Sequence, residues 1–342
     1  MQANLCRPIR PGFGLLAGPS THKLGWKPES LNLGTVMKKL PLLLTPLLTL
    51  LLPAGYAQAA GSGTHLREQL EIRNQEFSEA FVGEDVAAVM GHYVDGAMLM
   101  PEHSAARYGQ DSIEDYYRQW FGAAAIDRFR KTIHETLDFG DYAIETGTFV
   151  QTFTKDGAQP YDYSGKYMVV WAIDGKQPRI VSELWGANAP FDDAMLPDIE
   201  DGAPVTDRMF ANEAKVAWEI GSRNALIDTL VTERKGSEHA DLFLPDALYM
   251  TYYTPMLVGI ENIRPYFVEH EKPGVVIIES LDLSTGNIYP MEDGNLQLEQ
   301  GFYKAAWRAG NDSGTVTGKS LNLWKRDKGG TLMLYRQAVN HD

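Results

Sequence analysis

Apolar residues at Leu66, Leu70, Phe77 and Phe81 recur at helical spacing and predict a long amphipathic helix. Asp85 stands where an N-cap would open a short second helix that ends near Tyr93. Residues 97–100 read as a short strand and 111–121 as a third helix, with Gly109 at the turn before it. After that the period changes. Residues 144–153, 166–173 and 180–185 are rich in β-branched and aromatic side chains, with glycine-containing turns between them, and read as strands. Helices first and strands afterwards predict an α+β architecture with an antiparallel sheet, not a βαβ winding.

The same order returns further along. Residues 74–117 align without a gap to 224–267 at a constant offset of 150. The identities are Asn74/Asn224, Ala97/Ala247, Met100/Met250, Gly109/Gly259, Ile113/Ile263 and Tyr116/Tyr266, while Tyr93/Phe243 and Tyr117/Phe267 stay aromatic. After one change of loop length, Gly147 pairs with Gly301, Gly165-Lys166 with Gly318-Lys319, and Trp171 with Trp324. Strands are predicted in the second copy over 296–307, 319–324 and 332–338. The chain therefore reads as two tandem domains, 64–188 and 208–342, joined by a Pro- and Asp-rich linker at 189–207.

The first sixty residues read as addressing. Met37-Lys38-Lys39, the apolar run 40–52 and Ala57-Gln58-Ala59 are the three regions of a secretory signal over 37–59. The run is too short for a spanning helix of about 20 residues, so no stable membrane insertion is expected after processing. Residues 1–36, rich in Gly, Pro and basic residues, read as an over-long start ahead of Met37 or as an extended leader. A secreted or periplasmic location follows. The one cysteine, Cys6, would be lost on cleavage, leaving a thiol-free chain suited to an oxidising compartment.

Charge narrows the partners. With 31 basic against 45 acidic residues the formal net charge is −14, which argues against nucleic acid. No metalloprotease helix, nucleophile elbow, phosphate loop or dinucleotide fingerprint is present. The eight histidines show no pair at ligand spacing, so neither metal nor cofactor is expected.

Residues 74–121, then ETGTF, GKYMVVW and ELWGAN, resemble a SnoaL-like domain, of the superfamily of nuclear transport factor 2. The second copy resembles it more weakly, in FLPDALYM, GIENIRPYF and the last strands. The resemblance implies a cone-shaped α+β barrel, a curved sheet wrapped round helices to leave a pocket. It implies no single function, because the superfamily holds isomerases, cyclases, dehydratases, hydrolases and binders. Such domains commonly pair through open sheet faces, so the two copies are expected to form a pseudo-dimer within one chain, which could be monomeric.

Glu183 matches the acidic position that many such relatives carry before an Ile/Leu-Trp pair. Strand alternation places it with Arg179, Val181 and Trp185, opposite Ile180, Ser182 and Leu184. In an apolar cone it would be a raised-pKa proton shuttle; the alternative is an ion pair with Arg179. Its counterpart falls near Tyr335 and Arg336, so the second copy loses the acid. Glu145 recurs as Glu299, which favours a structural role over a ligand contact. His103 is a second acid/base candidate at the expected mouth, where the other copy has Tyr253; His134 reads as surface. Tyr93, Tyr117, Trp120, Trp171, Trp185, Tyr253 and Tyr266 are the aromatic candidates for core and pocket lining. Two functions stay open: binding of a small, largely apolar molecule, or acid/base catalysis in the first copy through Glu183.

Overall fold

The computed structural model describes residues 55–175, 177–202, 214–291 and 294–342. The leader and the apolar run of the expected signal lie outside the described residues, as does the end of the expected linker. Among the described residues no helix is long and apolar enough to cross a membrane.

The first copy runs α1 (Gly55–Val82), α2 (Val86–Met90), β1 (Tyr93–Pro101), β2 (Arg107–Tyr108), α3 (Gln110–Ala123), β3 (Ala124–Asp138), β4 (Tyr142–Lys155), β5 (Tyr161–Ala172) and β6 (Arg179–Ala187). The second repeats it as α4 (Ala214–Thr232), α5 (Gly236–Ala240), β7 (Phe243–Met250), β8 (Leu257–Val258), α6 (Ile260–His270), β9 (Val276–Met291), β10 (Leu296–Ala309), β11 (Asp312–Arg326) and β12 (Leu332–His341). Each copy forms a six-stranded sheet, ordered β2-β1-β6-β5-β4-β3 and β8-β7-β12-β11-β10-β9. Only the β1–β6 and β7–β12 pairs are parallel. The chain is thus two tandem α+β domains of one topology.

The repeated identities hold the frame. Asp85, which is not among them, caps α2 by accepting from the Ala88 amide, whereas its counterpart Lys235 makes no side-chain cap. Gly109 and Gly259 open α3 and α6 at φ 78° and 81°, a left-handed backbone that favours glycine. Their amides donate to Ala97 and Ala247 carbonyls at 2.9 and 2.8 Å. A side chain at Gly165 or Gly318 would collide with the ring of Phe149 or Tyr303. The adjacent Lys166 and Lys319 bury their ammonium groups on the Ala187 and His341 carbonyls.

Two long strands were absent from the sequence reading, β3 and β9. Both lie at a sheet edge, where one side of the strand faces solvent, and both carry charge where an inner strand would be apolar. β-Bulges at 126/128 and 133/135 also break the alternation of β3. His134 is exposed on β3. A further bulge corrects the expected faces of β6. Ile180 pairs with Trp171 while Ser182 pairs with Val170, so Val181 is extruded from the register. Ile180 therefore joins the inner core and Val181 the opposite face, the reverse of simple alternation.

Each sheet has two buried faces. The inner faces hold α1 with α3 and α4 with α6 in separate cores. The outer faces share a third cluster, in which Met98, Met168 and Leu184 meet Leu248, Leu298 and Leu323. Arg336 donates twice to Glu135 across that seam, at 2.7 Å each. The segment after β6 does not hang free as a linker. Leu196 is buried in the first core, Phe191 and Ile199 pack against it, and Lys155 Nζ donates to the Leu196 carbonyl at 2.7 Å.

Candidate functional site

The first cone keeps a cavity between α1, α3 and β3–β6. Nine of its twelve lining side chains are aromatic: Phe77 and Phe81 from α1, Tyr116, Tyr117 and Trp120 from α3, Phe129, Phe149, Tyr167 and Trp185 from the strands. The other three are Lys131, Gln151 and Glu183. About 30 Å³ is open to the centre of a water, room for about two waters, so anything larger requires a wall residue to turn. Phe129 and Lys131 also line an open groove between α1 and β3.

Glu183 points into this space, and its partner is not Arg179. Arg179 pairs with Asp174 at 3.5 Å, whereas Lys131 Nζ lies 2.5 Å from Glu183 Oε1 with both side chains at most 3% exposed. The second carboxylate oxygen accepts from Tyr93 Oη at 2.8 Å. Tyr93 and Tyr117 hydroxyls are 2.6 Å apart. Tyr93 has one proton and gives it to Glu183, so Tyr117 is the donor to Tyr93. Burial, and then the neighbouring Glu183 charge, push both phenols well above their usual range. The Lys131 ammonium also sits 4.8 and 4.7 Å from the ring centres of Phe77 and Tyr167. The result is a desolvated ion pair with a two-phenol relay, walled by rings. Chemically it can orient a polar atom of a ligand, or exchange a proton along Tyr117–Tyr93–Glu183.

The remaining candidates fall into three places. Tyr117, Trp120 and Trp185 line the cavity with Glu183. Tyr93 stands behind Glu183. Glu145 and Trp171 lie deeper, in a closed network: Glu145 accepts from Asn74 at 2.6 Å, Tyr167 at 2.6 Å and Trp171 at 3.1 Å. Burial raises the Glu145 pKa, against the pull of Lys131 and those three donors. Glu299 repeats the arrangement with Asn224 at 2.9 Å and Trp324 at 2.8 Å. His103 lies outside the cavity wall, at the seam between the copies. Its Nε2 is 3.3 Å from Tyr253 Oη, and the two equivalent residues both adopt left-handed φ, 60° and 52°. Tyr266 belongs to the second cone, stacked on His270 at 5.2 Å.

Of the polar residues lining the cavity, the sequence reading lacked Gln151 and Lys131, the latter because the strand carrying it was not recognised. Its signal is the i, i+2 series Phe129, Lys131, Ile133. The counterpart of Glu183 also needs correction. Val169 pairs with Glu183 and the equivalent Asn322 with Gln337, so the second copy replaces the acid by Gln337, not by Tyr335. Tyr335 occupies the extruded position equivalent to Val181.

No protein-family model matches the sequence, and no curated protein matches it. Solved structures do resemble it, one copy at a time. A ketosteroid isomerase-like protein from Erwinia carotovora atroseptica is 20% identical and covers 33% of this chain and 88% of its own, with a TM-score of 0.31. ActVI-ORFA from Streptomyces coelicolor is 14% identical, covering 38% and 97%, with a TM-score of 0.34. A domain of unknown function with a cystatin-like fold from Nostoc punctiforme is 11% identical, covering 38% and 80%, with a TM-score of 0.32. The chain's structural neighbours are ketosteroid isomerase-like and cystatin-like folds, each about the length of one copy.

Proposed function

We propose that the first copy binds a small, largely apolar molecule in its cavity. The carrying observation is the cavity wall itself, nine rings around one compensated ion pair. Rings supply apolar contact area, and the buried polar groups fix orientation. The test is titration with N-phenyl-1-naphthylamine, an uncharged apolar fluorophore. Binding is expected to weaken about tenfold in Trp185→Ala, which removes one wall, a loss of the size expected for a buried side chain. Unchanged binding in that variant would place the probe elsewhere.

A second reading, an acid/base enzyme of isomerase, cyclase or dehydratase type, draws on the Tyr117–Tyr93–Glu183 relay ending in the cavity wall. Glu183→Gln keeps the shape and one hydrogen-bond acceptor but removes the proton carrier. It separates the readings. A binder keeps its affinity for a neutral ligand, while an enzyme loses on the order of 10²–10⁴ in rate.

We also propose export with cleavage after Ala59, which would trim the start of α1, and a single chain that pairs its own two copies. N-terminal sequencing of the exported protein and light scattering of the purified protein test these. The acidic balance and the absence of any sequence motif for one give no reason to invoke nucleic acid, metal or cofactor.

A further inference from the structure

Two hydrogen-bond donors in the cavity wall have nothing to donate to. Trp120 Nε1 on α3 and Gln151 Nε2 on β4 are buried and lack a partner among the described residues. Both residues are 4% exposed, and both line the same cavity. A sealed donor without an acceptor costs free energy, and two of them on side chains that line one small space mark it as the place where an acceptor would relieve both. They do not belong to the repeated frame: the equivalent positions of the second copy hold His270 and Ala305.

The charge of the wall is already settled. Lys131 is the ammonium and Glu183 the carboxylate that line the cavity, and they are paired with each other. A charged ligand would enter a water-poor space with no counter-ion left for it. We infer that the ligand is uncharged and carries one acceptor oxygen, of carbonyl or ether type, seated between the Trp120 indole N–H and the Gln151 amide. This rests on the reading of the cavity as a ligand site. Trp120 and Gln151 are then specificity-determining residues, selecting for an oxygen where shape alone would accept a hydrocarbon.

The experiment uses two probes of nearly equal shape, acetophenone and α-methylstyrene, which differ by an oxygen against a methylene. Binding to the full chain is followed by ¹⁵N-labelled indole resonances, with Trp120 assigned from Trp120→Phe. The expected result is a preference for acetophenone of about tenfold or more, with the Trp120 N–H signal moving only for the ketone. Gln151→Leu and Trp120→Phe should each shrink that preference towards unity while still binding α-methylstyrene, which shows that the cavity is intact. Equal binding of the two probes to the unaltered chain would overturn the inference and leave the cavity reading standing. A preference that survives in both variants would overturn it as well. Binding of neither probe would overturn both.

Discussion

The two cones share their frame and differ in their contents. Where the first has Lys131, Glu183, Tyr93 and Tyr117, the second has Leu283, Gln337, Phe243 and Phe267. Each of these four is replaced by a residue that cannot carry charge. Gln337 turns instead to Asn322, donating at 2.9 Å. The buried Glu145/Glu299 network, by contrast, is kept in both. Duplication thus separates two roles for a buried carboxylate. In each cone one acid, Glu145 or Glu299, closes the fold, and the first copy holds another, Glu183, that faces a cavity. A group present in both halves answers to packing; a group present in one is free to answer to chemistry.

The strongest way to break this comparison is to remove the shared acid from each half. Glu145→Leu leaves Asn74, Tyr167 and Trp171 without an acceptor, and Glu299→Leu does the same to Thr285 and Trp324. At about 1–3 kcal/mol per stranded buried donor, each variant should lose on the order of 5 kcal/mol by denaturant unfolding. Loss in only one half would show that the two networks are not equivalent.

The next effect is smaller and specific to the first cone. Lys131→Leu strands the buried Glu183 carboxylate and should cost about 3–5 kcal/mol. Adding Glu183→Gln installs the second copy's own pair and should recover most of that loss. A double-mutant cycle reads the coupling directly. Additive losses would mean that the ion pair is incidental to the architecture of the site.

How far the sequence foretold this depended on position within the sheet. Apolar periodicity located α1, the identity at Gly109/Gly259 marked the turn before α3, and the repeat of Glu145 as Glu299 marked the buried network. Inner strands β4–β6 were legible because both faces are buried and their residues apolar. The edge strands β3 and β9 were not, since charged side chains at an edge look like loop, and Lys131 went with them. Glu183 was placed in the cone by alternation that a bulge at Val181 partly breaks. It faces inward because the extruded residue lies before it. The same bulge recurs at Tyr335 and cancels between the copies, so loop-length changes alone displaced the counterpart by two residues.

Acid should sharpen the comparison next. His92 in the first copy and His341 in the second are each held neutral by burial, with pKa lowered to about 3. Nearby cations, Arg73 and Lys131 for His92 and Lys319 for His341, add to this. The unfolded chain protonates these rings near pH 6.5, the folded chain only near 3, so the unfolded state binds more protons between those values. Stability from both is complete above about pH 6.5 and is lost as pH falls towards 3. His92→Leu and His341→Ala, which copy Leu242 and Ala187 from the other half, should each make that decline shallower by about one proton's worth of slope. An unchanged slope would mean the ring already titrates normally in the folded chain.

The smallest effect is expected where the copies touch. His103 and Tyr253 are equivalent residues facing each other across the seam, with ring centres 5.8 Å apart. Both hold a backbone conformation that costs a non-glycine residue about 1–2 kcal/mol, while a ring contact returns about 0.5–1.5 kcal/mol. His103→Ala keeps the strain and loses the contact; His103→Gly loses the contact but relieves the strain. The glycine variant should therefore be the more stable of the two, by about 1 kcal/mol, and close to the parent. Because His103 is outside the cavity wall, neither variant should change naphthylamine binding by more than about twofold, less than the 1.4 kcal/mol that makes a factor of ten. A tenfold loss of binding or turnover in His103→Gly, with stability intact, would return His103 to the acid/base role that its place in the sequence suggested.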